Sequence, residues 1–283
     1  MAWQIKKISQ EHFPPALLEI PEPPKELFVV GEIPKENIML AVVGSRKYTS
    51  YGKEICEKLI AGLRGYPITI VSGLALGIDS IAHKSALLSG LKTISFPGSG
   101  LAPNVLYPRS NFGLAKEIIA RGGALISEFE PEFRAADWAF PARNRLMAGV
   151  SKAVLIIEAE EKSGTLITAR LAVDYNRDVL AVPGSVFSSN SAGTNRLLRQ
   201  GATPVTNSEE ILEALSFNVT QKLFEMPDLR PAEKEVIDLL TLPLSRDEII
   251  RRLGKSATEI NALLTVLEIK GLIKEAVGLI RRN

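Results

Sequence analysis

Cysteine and histidine are almost absent from this chain of 283 residues. The one cysteine, Cys56, has no partner for an internal disulfide, and His12 and His83 are the only histidines. Two histidines and one cysteine cannot assemble a zinc-type ligand cluster, so we predict no metal site. The residues around Cys56 favour a small buried side chain on a helix.

Long apolar runs are missing as well. The first seven residues contain no hydrophobic stretch of the kind found in secretion signals, and no later run approaches the roughly 18 apolar residues of a membrane span. We therefore expect a cytoplasmic protein that does not associate with membranes. The 34 Lys and Arg residues against 32 Asp and Glu leave a net charge of only +2, so any nucleic-acid site must be local.

The two common glycine-rich cofactor motifs are also absent. A dinucleotide site needs G-x-G-x-x-G after the first strand and an acidic residue about twenty positions later. Here the first turn reads Gly44-Ser45-Arg46-Lys47, and the second predicted strand ends in Val71-Ser72-Gly73. There is no G-x-x-x-x-G-K-[ST] motif either, so we predict no nucleotide cofactor and no bound cofactor of another kind.

What the sequence does contain is an alternation of short apolar runs with helical stretches from Met39 onward, which is typical of βαβ units and a parallel sheet. We predict an α/β domain at residues 39–216, with an extended Rossmann-like parallel sheet and helices on both faces. Residues 1–38 are rich in proline and predict a lead-in that wraps the core without forming a domain. The predicted strands are 39–43, 68–71, 93–96, 124–127, 153–157, 179–182 and 203–205.

The composition changes again after residue 216, and we predict a linker at 217–228 and a small winged-helix domain at 229–283. Pro231 opens a helix to about Leu240, and Ser245 and Ser256 are placed to cap two more helices, of which we expect the second to run to Lys270 and end at Gly271. A strand-like tail centred on a glycine completes the outline of a winged helix. Ten Lys and Arg against eight Asp and Glu in this segment favour protein docking or weak DNA binding over a tight grip on duplex DNA.

Small or glycine-bearing turns follow nearly every predicted strand. In an open α/β sheet these turns meet at the carboxyl edge, where ligands bind because the following helices present free N–H groups. A single glycine turn has a backbone explanation, but several on one edge favour an anionic ligand. The turns are 44–46, 72–77, 97–100, 163–165 and 183–184.

Arg46 places a cation in the first of these turns, just before a predicted helix. A helix N-terminus carries roughly half a positive charge, so the two together suit a phosphate. The alternative is that Arg46 forms a salt bridge with a neighbouring loop.

Aromatic and arginine residues come together at residues 138–145, Trp-Ala-Phe-Pro-Ala-Arg-Asn-Arg. Proteins that bind single strands combine cations that follow the phosphates with aromatic faces on which bases stack. Phe140, held in an extended turn by Pro141, offers such a face, and Arg143 and Arg145 offer the charge at the start of a helix. The alternative is that Phe140 fills the core and the arginines lie on the solvated surface.

Six linked motifs, in the right order over roughly residues 27–205, resemble the DprA (Smf) family of DNA-processing proteins. They are Gly44-Ser45-Arg46, Ser72-Gly73-Leu74-Ala75-Leu76-Gly77-Ile78-Asp79, Tyr107-Pro108 with Asn111, Phe140-Pro141-Ala142-Arg143-Asn144-Arg145, Ser163-Gly164-Thr165-Leu166 with Thr168-Ala169, and Val182-Pro183-Gly184 with Gly193-Thr194-Asn195.

The resemblance implies a homodimer formed through the Rossmann domain. It also implies a protein that protects incoming or exposed strands and loads RecA onto them for recombination during natural transformation, without catalysis. Arg46 would contact phosphate, Phe140 would stack a base, and the arginines at 143 and 145 would line the channel. The full set of residues implied in binding single-stranded DNA is Gly44, Ser45, Arg46, Ser72, Gly73, Phe140, Arg143, Asn144, Arg145, Ser163, Gly164 and Thr165.

Two further residues have a structural interpretation. Asp79 is placed to cap a helix that begins near Ser80, and His83 has no acid or nucleophile beside it in the sequence. The competing function is a Rossmann-type nucleotide or phosphoribosyl hydrolase, a class that carries an acid just after a similar glycine loop. The comparable loop, 163–168, is not followed by a carboxylate, which disfavours that alternative.

Overall fold

The computed structural model describes residues 3–34, 37–217, 230–240, 242–269, 272–276 and 278–282. The chain divides into two compact units, Met1–Val219 and Thr220–Asn283. Residues 218–228 of the predicted linker lie outside the described residues, as do Leu229, Lys270 and Gly271. Each unit has its own hydrophobic core, and each is described by itself below.

The first unit is built on a mixed sheet of nine strands in the order β1-β2-β6-β5-β4-β3-β7-β8-β9. The strands are β1 (Lys6–Ser9), β2 (Glu26–Gly31), β3 (Ile38–Val43), β4 (Ile68–Ser72), β5 (Lys92–Ser95), β6 (Ala124–Ser127), β7 (Ala153–Ile156), β8 (Asp178–Ala181) and β9 (Thr203–Pro204). All seven predicted strands are present within two residues of the predicted limits. From β6 to β9 every neighbouring pair is parallel, which confirms the predicted α/β class.

Helices cover both faces of this sheet. They are α1 (Pro15–Leu18), α2 (Ser50–Ala61), α3 (Ile78–Leu88), α4 (Phe112–Ala120), α5 (Ala139–Val150), α6 (Thr165–Asp174), α7 (Ala192–Arg199) and α8 (Ser208–Ala214). Because successive side chains of a strand point to opposite faces, β3 sends Ala41 and Val43 into one core and Leu40 and Val42 into the other.

The lead-in does more than wrap the core. It contributes the two strands β1 and β2, and β2 pairs antiparallel with β6 to extend the sheet. The buried apolar run Leu27–Val30 forms the centre of β2. This strand was not predicted, because the prolines around the run indicated an irregular segment. Pro23 and Pro24 precede the strand, a position that leaves its ladder of hydrogen bonds intact.

The direction of chain winding reverses between β3 and β7. From β3 the chain moves through β4 and β5 to β6 on one side, and it then returns to β7, β8 and β9 on the other. Loops at such a switch point diverge from each other and leave a crevice at the carboxyl ends of the strands. The loops after β3 and β7 therefore frame the crevice of this sheet.

Cys56 lies on α2 and is fully buried in the core between α2 and the sheet, as the sequence predicts. Burial raises the pKa of its thiol, with a smaller contribution from Glu57. The side chain therefore behaves as a small apolar residue.

The second unit is a winged helix: α9 (Pro231–Leu239), β10 (Leu244–Ser245), α10 (Arg246–Leu253), α11 (Ala257–Ile269), β11 (Ile273–Ala276) and β12 (Leu279–Arg282). Ser245 accepts a hydrogen bond from the backbone N–H of Glu248, and Ser256 accepts one from Glu259, so both predicted caps are confirmed. The three strands form a sheet in the order β10-β12-β11. Gly278 has a φ of +73° in the turn between β11 and β12, where an L residue would be strained.

Within the described ranges, no helix of either unit is long and apolar enough to cross a membrane.

Candidate nucleic-acid interface

A cavity of about 340 Å³ opens at the carboxyl edge of the sheet, between the loops that follow β3 and β7. Eight of the twelve predicted site residues line it. Phe140 and Gly73 line a smaller adjoining pocket, whose wall also includes Arg46 and Arg143. The residues lining the cavity are Val43, Gly44, Ser45, Arg46, Lys47, Ala75, Asp79, Arg143, Asn144, Met147, Glu160, Ser163, Gly164, Thr165 and Thr168.

Arg46 and Phe140 form the junction between the two pockets. The guanidinium carbon of Arg46 lies 5.1 Å from the centroid of the Phe140 ring, a cation–π arrangement, and Arg46 itself is exposed. The Phe140 ring is half-buried: one side packs on Gly98, and Tyr107 approaches to a centroid distance of 5.9 Å. The ring is therefore held in place by its neighbours and still reaches the surface beside an exposed cation.

The loop carrying Arg46 is fixed by close backbone packing. Ser45 is buried, and its hydroxyl accepts a hydrogen bond from the backbone N–H of Lys47. A Cβ atom on Gly44 would come within 2.8 Å of the Ile78 side chain, so only glycine lets α3 pack this closely against the first turn.

The N-terminus of α2, expected to attract a phosphate together with Arg46, already holds an internal carboxylate. Glu158 is buried and accepts hydrogen bonds from the backbone N–H of Thr49 at 2.9 Å and from its hydroxyl at 2.6 Å. Thr49 in turn caps α2 by accepting from the N–H of Gly52. The helix charge is therefore compensated by Glu158, and Arg46 is the feature of this turn that remains available to an anion.

Arg143 lines the cavity, but its side chain is almost completely buried. Its side chain is only 5% exposed, and its Nη1 atom donates hydrogen bonds to the carbonyl oxygens of Gly73 and Phe96. These bonds tie α5 to the loops after β4 and β5. Burial lowers the pKa of Arg143 to about 10, a shift that the nearby Asp79 carboxylate opposes. Arg143 thus contributes positive charge from below, while its hydrogen bonds serve the scaffold.

Arg145 is not brought into the cavity. Two residues along a helix correspond to a rotation of about 200°, so Arg145 leaves α5 on the side opposite Arg143. There it forms an ion pair with Glu128 and donates a hydrogen bond to the carbonyl oxygen of Glu22 at 2.8 Å. The sequence predicts that Arg145 lines the DNA channel together with Arg143. The position of Arg145 does not support this prediction.

Asp79 differs from its predicted role as a helix cap. The helix begins at Ile78 with Gly77 in the capping position, so Asp79 falls in the first turn and reaches back to accept from the N–H of Gly73 at 3.1 Å. Burial raises the pKa of Asp79, against the opposing effects of Arg143 and the backbone N–H groups of Gly73 and Ala75. Asp79 therefore holds the loop after β4 in place.

Ser72 and Gly73 have the same supporting role. The Ser72 hydroxyl is buried and donates to the carbonyl oxygen of Val42 on the neighbouring strand, away from both pockets. A Cβ atom on Gly73 would lie 2.0 Å from Nη1 of Arg143, so glycine is needed where the guanidinium crosses this loop. Ser72 lines neither pocket, and Gly73 lines the smaller one through its backbone.

Ser163, Gly164 and Thr165 form the opposite wall, at the start of α6. The Ser163 hydroxyl oxygen accepts a hydrogen bond from the N–H of Thr165 and can still donate its own hydrogen to a ligand. Gly164 is exposed, and among the described residues no atom lies within 4 Å of where its Cβ would be. This end of α6, with Arg46 across the cavity, gives two groups that attract anions on facing walls.

His83 is fully buried on α3, in keeping with its predicted structural role. The Thr93 hydroxyl donates to the carbonyl oxygen of Ile70, so it accepts from Nδ1–H of His83 at 2.7 Å. Among the described residues, Nε2 has no hydrogen-bond partner. Burial, with a contribution from Arg143, lowers the pKa of His83 to about 3.

This pKa predicts an acid-sensitive stability. Below pH 6.5 the unfolded chain protonates this imidazole, whereas the folded chain resists protonation until about pH 3, so the contribution present above pH 6.5 is lost as the pH falls. We expect the free energy of unfolding to fall by about 2 kcal/mol more in the parent than in a His83→Gln variant between pH 7 and pH 5. Denaturant titrations at both pH values measure the difference, and equal losses in the two proteins would contradict the prediction.

Several residues of the site were not predicted from the sequence. Lys47 and Glu160 line the cavity. Lys47 could have been predicted, because it directly follows Arg46 in the sequence. No feature of the sequence indicated that the exposed Glu160 lines the cavity, because Glu160 precedes the predicted glycine turn 163–165. Tyr107 and Asn111 entered only through the family motif. The Asn111 amide donates to the carbonyl oxygen of Leu74 at 2.7 Å and so supports the loop after β4.

Comparison with known protein families gives two matches that together span most of the chain. Residues 4–216 match the family described as DNA recombination-mediator protein A, and residues 225–278 match the DprA winged helix domain.

Individual relatives agree with the family matches. Protein Smf of Escherichia coli is 39% identical over 95% of this chain and 74% of its own length. The DNA processing protein DprA of Streptococcus pneumoniae is 40% identical over 74% of this chain and 73% of its own.

Two solved structures show the same fold. The X-ray structure of DNA processing protein A from S. pneumoniae has a TM-score of 0.70 at 38% identity and covers 74% of each chain. A structure of DNA processing protein A from Helicobacter pylori, described for its single-stranded DNA binding mode, has a TM-score of 0.66 at 33% identity. It covers 76% of this chain and 96% of that one.

Proposed function

This chain belongs to the DprA/Smf family of DNA-processing proteins, and from that premise we propose that it binds single-stranded DNA at the carboxyl edge of its large sheet. The observation that carries the proposal is the pairing of the exposed Arg46 with the half-buried Phe140 ring at the cavity mouth. A cation beside an aromatic face supplies what a nucleotide of an unpaired strand needs, a partner for its phosphate and a surface for its base.

In this proposal the two walls of the cavity make different contacts with the strand. Arg46 and Lys47 attract the phosphates from one wall, while the Ser163 hydroxyl and the start of α6 offer hydrogen bonds from the other. Arg143 adds buried positive charge below them. None of these contacts reads the edge of a base, so the affinity should depend little on sequence and strongly on salt.

We propose that the protein acts by binding and not by catalysis. The two carboxylates at the cavity support this proposal. Asp79 is buried and accepts from the backbone of the Gly73 loop, and Glu160 stands exposed at the rim. A nucleotide or phosphoribosyl hydrolase of the kind considered above would carry an acid just after its glycine loop, and residues 166–173 contain none.

The finer assignments rest on family membership alone. They are a homodimer formed through the first unit, protection of incoming or exposed strands, delivery of those strands to RecA during natural transformation, and a cytoplasmic location. We also propose the domain limits 1–38, 39–216, 217–228 and 229–283. The carboxylates of the winged helix, with Glu259 exposed on α11, support protein docking or weak DNA contact for that domain.

Binding of a short oligothymidylate tests the proposal when it is compared with the matching duplex. We expect the parent to prefer the single strand, and Phe140→Leu to weaken that binding by about fivefold to about a hundredfold, the worth of one stacked base. Leucine keeps an apolar side chain against Gly98 but removes the aromatic face. Phe140→Tyr, which keeps the face, is the matched control and should bind as the parent does.

A protein that binds the duplex as tightly as the single strand would contradict the proposal. So would a Phe140→Leu variant with the parent's affinity for the single strand.

A further inference from the structure

Two consecutive apolar side chains stand in solvent on the loop after β8. Phe187 is 96% exposed and Val186 is 83% exposed, while the aromatic residues Tyr48 and Tyr51 near the cavity are about half as exposed. A single exposed apolar residue needs no explanation, but a pair that includes a fully presented ring marks a contact site. The binding site proposed above makes no use of these two residues.

The loop that presents the ring is held firmly. The Tyr51 hydroxyl donates to the carbonyl oxygen of Pro183 at 2.7 Å, and the Asn195 side chain bonds both the N–H and the carbonyl oxygen of Gly184. The backbone then continues through successive turns, closed by the N–H groups of Ser188 and Ser191. A ring presented by an ordered backbone loses little conformational entropy when a ligand covers it.

The loop is also joined to the cavity. The Asn190 side chain donates to the carbonyl oxygen of Lys47 at 2.6 Å, and Lys47 adjoins the Arg46 that lies over the Phe140 ring. In the sheet, β8 is separated from β3 only by β7, so the loops after all three strands lie on one edge. Lys47, which lines the cavity, and Tyr51, which bonds to the loop at Pro183, are both exposed.

The β8 loop itself carries no charge that would repel a phosphate backbone. No acidic residue occurs among residues 179–190, and the exposed Lys47 belongs to the backbone that this loop contacts through Asn190. Ser185, Ser188 and Ser189 flank the exposed ring and supply hydroxyl groups that can bond to phosphate oxygens.

We infer that Phe187 is a second platform for a base of the same single strand, several nucleotides away from the base on Phe140. The strand passes from Phe140 over Arg46 and Lys47 to the β8 loop. This inference rests on the proposed function. It also increases the number of nucleotides that the protein contacts, because short strands fill only the cavity and longer strands reach Phe187.

Length-resolved binding tests the inference. Labelled oligothymidylates of about 4 to about 16 nucleotides cover the usual range of single-strand sites and are titrated by fluorescence anisotropy. We expect Phe187→Ala to bind the shortest strand as the parent does and the longest at least about fivefold more weakly. Phe187→Trp should keep the parent's affinity at every length.

Leu88→Ala is the matched control. Leu88 is 88% exposed, but it lies at the end of α3, on the opposite edge of the sheet, and its loss should change no affinity.

Two results would overturn the inference. One is a Phe187→Ala protein with the parent's affinity at every length, which would assign the exposed pair to a protein partner. The other is an equal loss at the shortest and the longest strand, which would place Phe187 inside the primary site. Failure of the proposed function looks different, because the parent itself would then fail to prefer single strands.

Discussion

An Arg46→Glu protein is expected to bind oligothymidylates about tenfold to about a hundredfold more weakly than the parent, whatever their sequence. Arg46 is exposed at the cavity mouth, and its guanidinium group lies 5.1 Å from the ring on which we place a base. The substitution removes a charge-assisted hydrogen bond to phosphate and puts a repelling carboxylate beside it. Anisotropy titrations at several salt concentrations should also show a salt dependence that is smaller by about 0.7 for each phosphate that the variant no longer neutralises.

Arg170→Glu is the control for this charge reversal. Its side chain is 85% exposed on α6, away from the cavity lining, so its reversal should change affinity only through long-range electrostatics, which salt screens. Because Arg46 lies over Phe140, the combined effect of Arg46→Glu and Phe140→Leu should be smaller than the sum of the separate effects. An Arg46→Glu protein that binds as well as the parent would rule out the cavity as the strand site.

Arg143→Met should lower the free energy of unfolding of the first unit by about 3 to 5 kcal/mol. The substitution leaves the carbonyl oxygens of Gly73 and Phe96 without their donor and leaves the buried Asp79 carboxylate without its nearby positive charge. Denaturant unfolding followed by tryptophan fluorescence measures this destabilisation. Both tryptophans, Trp3 and Trp138, belong to the first unit, so the signal excludes the winged helix.

Adding Asp79→Asn should recover part of the stability, because the uncompensated charge is then gone. Arg170→Met, which removes an exposed arginine, should cost about 0 to 1 kcal/mol. If Arg143→Met were as stable as the parent and showed only a weaker DNA affinity, Arg143 would be a ligand for the strand, as the family resemblance implies, and its scaffold role would be wrong.

Most strands of the parallel part of the sheet could be predicted from the sequence because they are buried on both faces. Ala153–Ile156 and Met39–Val43, for example, are continuous apolar runs that are buried along their whole length. Strand β2 was missed although its four central residues are buried. It joins the sheet from a segment in which prolines mask the apolar run, and its pairing with β6 is a contact across about a hundred residues.

The candidate site was predicted in part. Residues in the turns, such as Arg46 and Ser163, were located correctly at the cavity because topology alone brings the carboxyl ends of parallel strands together. Arg143 and Arg145 were paired because they are close in the sequence, although the helix that carries them turns them to opposite sides. The partners that set their roles, Gly73 for one and Glu128 for the other, come from distant segments.

The capping role predicted for Asp79 was wrong for a related reason. The prediction placed the helix start near Ser80, and a start at Ile78 moves Asp79 inside the first turn, where its carboxylate faces the previous loop. Because the helix starts two residues earlier than predicted, Asp79 does not cap it and instead holds the loop after β4 through the N–H of Gly73. The occupation of the α2 N-terminus by Glu158 could not be predicted from the sequence either, because Thr49 and Glu158 are 109 positions apart.

Because Cys56 is buried, an introduced surface cysteine can be labelled selectively in this protein. The Cys56 thiol is shielded by α2 and the sheet, and its raised pKa keeps it protonated and unreactive at neutral pH. A cysteine introduced on the surface, for instance at Leu88, would therefore be the thiol that reagents modify first, with no need to remove the native one. For the same reason, mild oxidants have no accessible sulfhydryl through which to alter the folded chain.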